Sequence, residues 1–351
     1  MDDERSSPVG FVGGERCLFV STQPRMQMPV FNGALGDAYE LFATGRDALY
    51  SLIAQLEPLR VKVPMYGCNS LALAARSAGV GFDYYPISEA LLGERDMSDA
   101  WNPGDVVVVP HYFGVVNTEL LQSLRGSGMI IVSDVTHFLF DTAVTREIAE
   151  QSDYVFASFR KSFATPDGGF IGSVHHELPG PSDRVRMGFV AYRTAGLVSR
   201  GFATVGGLVS EENRPYFANA EEELEKLDPG DYAISDIGRE CLHSFDFDLE
   251  ANAIATNTRA LLSNLPPRSH SPSPLTSLSP LVLVIFDTAE EMKSVRGQLI
   301  KRRVFLPQHW PGIASRAPDH FSLRSLSVPV DARYTKDIMR SIFEAESSIT
   351  L

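Results

Sequence analysis

The strongest constraint on the fold is a series of uninterrupted apolar runs in the middle of the 351-residue chain, separated by segments with helical periodicity. The runs include VVVV at 106–109, MIIV at 129–132 and YVFA at 154–157. Apolar runs without polar alternation indicate strands that are covered on both faces. Strands that alternate with helices require crossover connections and therefore a mainly parallel sheet. The middle of the chain thus predicts a doubly wound α/β domain.

The pattern changes after about residue 180, where helical segments dominate, and a Pro/Ser-rich stretch at 266–280 precedes a second set of strands and helices. In that second set, VFLP at 304–307 reads as a strand. We expect an N-terminal arm at 1–40 and a large α/β domain at 41–235. Residues 236–351 should form a long helix and a small α+β domain.

Composition limits the class of function. The net charge of −13 argues against a nucleic-acid-binding surface, which is usually basic. The three cysteines are widely spaced and suggest neither a disulfide framework nor a zinc site. The first ten residues are polar and acidic, and no apolar run is long enough to cross a bilayer. These features predict a soluble cytoplasmic protein without a metal site, a nucleic-acid partner or a membrane partner, and they leave a phosphorylated small ligand possible.

Polar side chains follow the predicted strands, at the edge where open parallel sheets bind their ligands. They are His111, Asp134, Ser158 and Lys161, and the last is followed by a Gly-Gly turn at 168–169. Taken singly, a strand-end aspartate is often a helix cap, a lysine there is usually on the surface, and a histidine is usually a packing residue. Together, an acid at one strand end, a lysine at the next and a Gly-Gly turn beside it form one constellation, which favours a functional site over these single roles.

Several segments resemble the pyridoxal-phosphate (PLP) aminotransferases of the DegT/DnrJ/EryC1/StrS group. They are SDVTHFLF (133–140), DYVFASFRKSFATPDGG (153–169) and LRSLSVPVDARYTKDI (323–338). ATGRDALYSLI (43–53) and VKVPMYGCNSLALAA (61–75) fall where that group carries its phosphate loop and its cofactor-stacking segment. The resemblance implies a divergent member with the PLP-dependent transferase fold, in which a large, mainly parallel sheet domain precedes a smaller C-terminal α+β domain.

By this resemblance, Lys161 forms a Schiff base with the cofactor and Asp134 pairs with the pyridine nitrogen. Burial should lower the pKa of Lys161, so that the amine can act as a base. His137 would lie against the ring face. The cofactor-binding set implied is Thr44, Gly45, Arg46, Tyr66, Asp134, His137, Ser158 and Lys161. Helix capping is the competing role for Thr44 and Ser158, and a place on the helix surface is the competing role for Arg46.

The resemblance also implies a homodimer with shared active sites. The expected substrate or partner-subunit contacts are His111, Tyr112, Asn213, His309 and Arg324. A buried ion pair is the alternative for Arg324. The implied reaction moves an amino group from an amino-acid donor, glutamate, to a keto or aldehyde group of a sugar or small biosynthetic intermediate. PLP-dependent elimination, epimerisation or carbon–carbon bond formation stays open, as does a non-catalytic binding protein on the same fold.

Overall fold

The computed structural model describes residue 35 and residues 38–93, 101–205, 213–312 and 317–344. Nearly all of the predicted N-terminal arm lies outside the described residues.

A seven-stranded sheet forms the larger part of the described chain, in the order β1-β7-β6-β5-β4-β2-β3. Strands β2 to β6 run parallel, whereas β7 is antiparallel to both of its neighbours. The strands are β1 (Tyr39–Phe42), β2 (Arg60–Pro64), β3 (Gly81–Tyr85), β4 (Val106–Pro110), β5 (Ile130–Asp134), β6 (Tyr154–Ser158) and β7 (Gly169–Gly172). The helices between them are α1 (Gly45–Leu56), α2 (Asn69–Ser77), α3 (Thr118–Leu124) and α4 (Thr142–Gln151).

The valines of β4 show why the apolar runs are continuous. Val106 and Val108 pack on one face of the sheet, in a core with helices α1 and α2. Val107 and Val109 pack on the other face, in a core that contains Tyr66. Because both faces are covered, neither set of alternate positions can be polar. The predicted α/β class with a mainly parallel sheet is confirmed.

Strand β7 reverses direction because the connection from β6 is short. It consists of a 3-10 turn, Phe159–Lys161, and a loop that ends at Gly168. A parallel return needs a crossover of a dozen or more residues, whereas an antiparallel return does not. This reversal leaves the segment that carries Lys161 at the carboxyl edge of the parallel strands.

The C-terminal part begins with four helices: α5 (Met187–Val205), α6 (Arg214–Glu225), α7 (Asp236–His243) and α8 (Phe247–Leu262). An antiparallel sheet of β8 (Ser269–His270), β9 (Leu281–Phe286) and β10 (Ser325–Pro329) follows, with α9 (Ala289–Lys301) and α10 (Lys336–Ser341). Within the described ranges, no helix is long and apolar enough to span a bilayer.

The prediction of a strand at 304–307 was wrong. This segment buries Val304 and Leu306 but forms no ladder. It is held beside β10 at Pro307, whose carbonyl oxygen accepts hydrogen bonds from the backbone N–H of Ser327 at 2.9 Å and from its hydroxyl at 3.1 Å. The short strand β8, by contrast, lies inside the Pro/Ser-rich stretch at 266–280, whose composition predicts a loop. The division at residues 235 and 236 stays a prediction.

Candidate active site

A cavity of about 540 Å³ opens between the carboxyl edge of the parallel strands and the segment that leads into β10. This volume lies within the usual range for small-molecule sites. On the side of the large sheet the lining residues are Cys68, His137, Arg160, Lys161 and Ser162.

Lys161 ends the 3-10 turn that follows β6. The turn is anchored by Phe159, which is fully buried and stacks on Phe170 at a centroid distance of 5.5 Å. The backbone N–H groups of Ser162 and Phe163 donate to the carbonyl oxygen of Phe159 at 2.9 and 2.8 Å. The expected burial of Lys161 is wrong, because its side chain is exposed at the cavity. Its ammonium group makes no hydrogen bond or ion pair with any described residue.

Asp134 ends β5 and is joined to the start of this turn through Thr136. Its Oδ1 accepts from the Thr136 backbone N–H at 3.0 Å and from the Thr136 hydroxyl at 2.6 Å. That hydroxyl oxygen accepts in turn from the backbone N–H of Ser158 at 3.2 Å, and the Ser162 hydroxyl donates to the Thr136 carbonyl at 3.4 Å. Asp134 and the residues that flank Lys161 therefore share one hydrogen-bond network. The second carboxylate oxygen of Asp134 has no partner in the described part of the chain.

His137 is a buried, neutral lining residue. Its Nδ1 accepts a hydrogen bond from the backbone N–H of Phe113 at 2.9 Å, so the proton of the neutral ring lies on Nε2. Burial, and after it the neighbouring His309 and Lys161, holds the pKa of His137 well below its usual value. The imidazole therefore offers the cavity an uncharged ring.

The start of helix α1 lies against the end of β6 because two positions lack side chains. A Cβ on Gly169 would lie 2.2 Å from the backbone nitrogen of Gly45, and a Cβ on Gly45 would lie 2.9 Å from the carbonyl oxygen of Ala157. The first N–H groups of a helix have no intrahelical partners and bind anions. The hydroxyl of Ser158, next in the chain, has no hydrogen bond to a described residue. This corner can hold a phosphate group.

The side chains of Thr44 and Arg46, at the start of α1, form hydrogen bonds with other protein groups and do not point to a role in phosphate binding. Thr44 accepts a hydrogen bond from the Asp47 N–H at 3.1 Å and donates to the Asp47 carboxylate at 2.8 Å, so it is a helix cap. Arg46 contacts the Glu225 carboxylate at 3.1 Å and the Leu224 carbonyl at 3.2 Å. Its guanidinium is thus held by the end of α6, away from the phosphate corner.

Tyr66, Tyr112 and His111 are buried beside the cavity and, like Asp134 and Ser158, are not part of its lining. Tyr66 packs edge-on against Trp310 at a centroid distance of 4.7 Å, and the Tyr112 hydroxyl donates to the Tyr66 carbonyl at 2.6 Å. His111 lies between the Ser133 hydroxyl and the backbone N–H of Asn117, both at 3.1 Å. Burial lowers the pKa of His111 to about 3, so it is a neutral packing histidine.

Of the predicted substrate contacts, only His309 lines the cavity. Its Nδ1 lies 2.5 Å from the Ser327 hydroxyl, and burial together with Lys161 lowers its pKa to about 4. Arg324 forms an ion pair with Glu89 and also donates to the Phe286 carbonyl at 2.5 Å. Its role is therefore the pairing role that was the alternative to substrate binding. Asn213 stands before the first residue of α6 and is not part of the lining.

Sequence reasoning missed four charged or reactive side chains of the lining: Cys68, Arg160, Arg296 and Arg333. Burial raises the pKa of the Cys68 thiol. The positive charges of Lys161 and Arg160 and the hydrogen bonds with Ser70 lower it by more, so the pKa lies below its ordinary value. Cys68, Arg160 and Arg333 lie inside the segments quoted for the resemblance, at 61–75, 153–169 and 323–338, but no role was assigned to them. Arg296 lies outside every quoted segment, and no sequence pattern pointed to it.

No family model and no curated protein matches the sequence. Solved structures do match. The aminotransferase TlmJ from Streptoalloteichus hindustanus superposes with a TM-score of 0.64 at 15% identity, over 95% of this chain and 97% of that one. PseC of Helicobacter pylori, an aminotransferase involved in the biosynthesis of pseudoaminic acid, gives 0.62 at 12% identity, over 95% and 97%. SPT with a PLP internal aldimine gives 0.52 at 15% identity, over 89% and 72%.

These likenesses establish the fold. The chain has the mixed α/β fold of the PLP-dependent transferases, as the sequence predicts.

Proposed function

We propose that the chain is a PLP-dependent aminotransferase of the DegT/DnrJ/EryC1/StrS kind. It takes an amino group from an amino-acid donor, glutamate, and passes it to a keto or aldehyde group of a small acceptor. The fold supports this proposal, since it is the fold of two aminotransferases and of a protein solved with PLP.

The observation that carries the proposal is a set of polar groups at one edge of the sheet that make no hydrogen bond to the described protein. Lys161 has an ammonium group without a partner, Asp134 has one carboxylate oxygen without a partner, and Ser158 has a hydroxyl without a partner, all within the described residues. Thr136 links the backbone positions of these groups. The three groups follow the ends of two neighbouring parallel strands, where open sheets bind their ligands, and a polar ligand could satisfy all of them.

The three groups fit the chemistry of PLP. When bound, this cofactor supplies an aldehyde that takes up the amino group and a protonated ring that accepts an electron pair. Asp134 would hold the proton on the ring nitrogen. The Ser158 hydroxyl and the first N–H groups of α1 would bind the phosphate. His137 would pack its neutral ring on the face of the cofactor.

Lys161 would bind the cofactor and move the proton at the substrate carbon. An amine does this only in its uncharged form. In the described lining its neighbours are the neutral imidazoles of His137 and His309 and the cation Arg160, and no carboxylate side chain is among them.

The implied homodimer is part of this proposal. Helices α5 and α6 expose large apolar side chains at Met187, Tyr192, Val198 and Tyr216. Tyrosine and methionine are enriched at protein interfaces, and a second copy of the chain would cover exposed side chains of this kind.

The test is covalent labelling of Lys161. Protein loaded with PLP should absorb visible light, and borohydride should fix the cofactor to the peptide that contains Lys161, as a mass increase. Lys161→Ala should abolish the label, whereas Lys336→Ala, at an exposed lysine outside the lining, should keep it. Glutamate should bleach the visible band of the wild type. A label that persists in Lys161→Ala would contradict the choice of lysine, and a band that glutamate leaves unchanged would contradict amino transfer from this donor.

A further inference from the structure

The wall of the cavity opposite Lys161 has an unusual composition. On the small-sheet side it contains the apolar side chains Ile300, Phe305, Leu306 and Trp310, together with two arginines, Arg296 and Arg333. Ile300 and Phe305 are 45% and 42% exposed, which is high for large apolar residues in a concave site. Apolar area that faces a cavity gains free energy when an apolar ligand covers it.

The charge in the cavity is entirely positive. Four cationic side chains contribute to the lining, and no aspartate or glutamate among the described residues does. Arg160 is paired with Glu221 at 2.8 Å, and Arg333 is held by both oxygens of Asp331 at 2.7 Å. The positive charge of the lining that no described carboxylate pairs with therefore belongs to Lys161 and Arg296, in a chain with a net charge of −13.

Arg296 differs from the other two arginines. It lies on α9, one turn before Ile300, and its side chain is half-buried at the cavity. It makes no hydrogen bond or ion pair with any described residue. A guanidinium presents a planar pair of donors that matches a carboxylate or phosphate. An arginine left without a partner beside an apolar wall is therefore suited to bind an anionic group of the ligand.

The same wall is poorly suited to a polyhydroxylated ligand. Hydroxyl groups need both donors and acceptors, and unpaired ones are costly to bury. The described lining has no Asn, Gln, Asp or Glu side chain, and its two imidazoles each have Nδ1 engaged by protein groups. Ser162 donates to the Thr136 carbonyl.

We propose that the substrate of this site is an apolar acid, with its anionic group on Arg296 beside Arg333 and its apolar body against Ile300, Phe305 and Trp310, rather than a sugar. This inference rests on the proposed function and names the class of its acceptor: an oxo compound that carries an apolar body and a carboxylate or phosphate. The reacting carbon would lie at the Lys161 end of the cavity.

The test measures binding, separately from turnover, on the PLP-loaded protein by titration calorimetry. The probes are 3-phenylpropanoate, which has no oxo group and cannot react, phenyl phosphate as the other anion, and the neutral 3-phenylpropan-1-ol. Uridine diphosphate glucose is the polyhydroxylated probe. We expect one or both apolar anions to bind, and the alcohol to bind more weakly. The preferred anion identifies the acid group.

Variants locate the subsite. Arg296→Gln should weaken binding of the apolar anion by about ten- to a hundredfold, the effect of losing a charged hydrogen bond, and Arg296→Lys should fall between. Lys293→Gln removes the same charge from an exposed position of α9 outside the lining and should change nothing. Ile300→Ser should weaken binding, whereas Leu275→Ser, at an exposed apolar residue elsewhere, should not.

Three results would overturn the inference: neither anion binds, Arg296→Gln binds like the wild type, or uridine diphosphate glucose binds more tightly than both anions. Failure of the proposed function is read independently, from the Lys161 label and the bleaching by glutamate. An anion that binds through Arg296 to protein without the label supports the subsite and rejects the transferase. Label and bleaching with no effect of Arg296 reject the subsite alone.

Discussion

Arg186→Met should be among the most destabilising single changes in the described structure. The Arg186 guanidinium donates to both carboxylate oxygens of Asp47, at 3.0 and 2.6 Å. The two side chains are 1% and 0% exposed. Methionine can fill much of the arginine volume but leaves the carboxylate buried without its counter-charge. Removal of one partner from a buried pair costs about 3–5 kcal/mol, and the loss of two charged hydrogen bonds at about 1.5–3 kcal/mol each gives a similar range.

The consequence should extend to the phosphate corner. Asp47 also accepts hydrogen bonds from the Thr44 hydroxyl at 2.8 Å and from the backbone N–H of Gly230 at 3.1 Å. It therefore fixes the start of α1 to the loop before α7. The variant should lose affinity for PLP as well as stability, because the helix N-terminus is no longer held in place.

The assay is urea unfolding followed by far-ultraviolet circular dichroism, with Arg184→Met as the matched control. Both arginines lie over the Tyr232 ring, at 4.1 Å for Arg186 and 4.6 Å for Arg184, and both pair with an aspartate. Arg184 is 61% exposed, so water already screens its pair with Asp231 and its loss should be small. A loss below about 1 kcal/mol in Arg186→Met, or an equal loss in both variants, would refute the reasoning from burial.

Two further changes test other buried polar groups. Burial raises the pKa of Asp167 to about 6, against the opposing hydrogen bonds from Ser235. The folded state then binds a proton more tightly than the unfolded state, so stability should fall as the pH rises from about 4 to about 6. Asp167→Asn should flatten this part of the pH profile in thermal unfolding, and an unchanged slope would contradict the assignment. Asn257→Ala removes amide hydrogen bonds to the carbonyls of Val330, Asp331 and Tyr334 at 2.8–3.2 Å, and should cost about 1–3 kcal/mol in urea unfolding. Asn264→Ala, which loses one exposed bond, is its control, and equal costs would reject the argument.

The fold was readable from the sequence where burial leaves a local pattern. The apolar runs at 106–109, 129–132 and 154–157 became β4, β5 and β6, because strands covered on both faces tolerate few polar residues. The direction of β7 and the existence of the two-residue strand β8 depend on pairing with other strands. An apolar run does not indicate which strand it pairs with or in which direction. At 304–307 the alternating buried residues Val304 and Leu306 give the sequence pattern of a strand, but the segment forms no strand in the structure.

The site was readable only in part. Lys161, His137 and His309 reach the cavity, as a strand-end position or the resemblance implies. His111 and Tyr112 come from an equally good strand end, but their side chains turn into the core, and residue type does not reveal that direction. Arg296 was not foreseeable, because a single arginine on an amphipathic helix looks like any solvated one until the small sheet brings it to the cavity.

The Thr136 hydroxyl connects the ends of β5 and β6 directly. One oxygen atom accepts from the backbone of β6 and donates to the carboxylate at the end of β5. A thermal displacement of either strand along its axis must stretch both bonds or carry the other strand with it. The Thr136 hydroxyl thereby couples the position of the Asp134 carboxylate to that of the Ser158 backbone, so a rigid heterocycle would meet prearranged contacts at both of its ends.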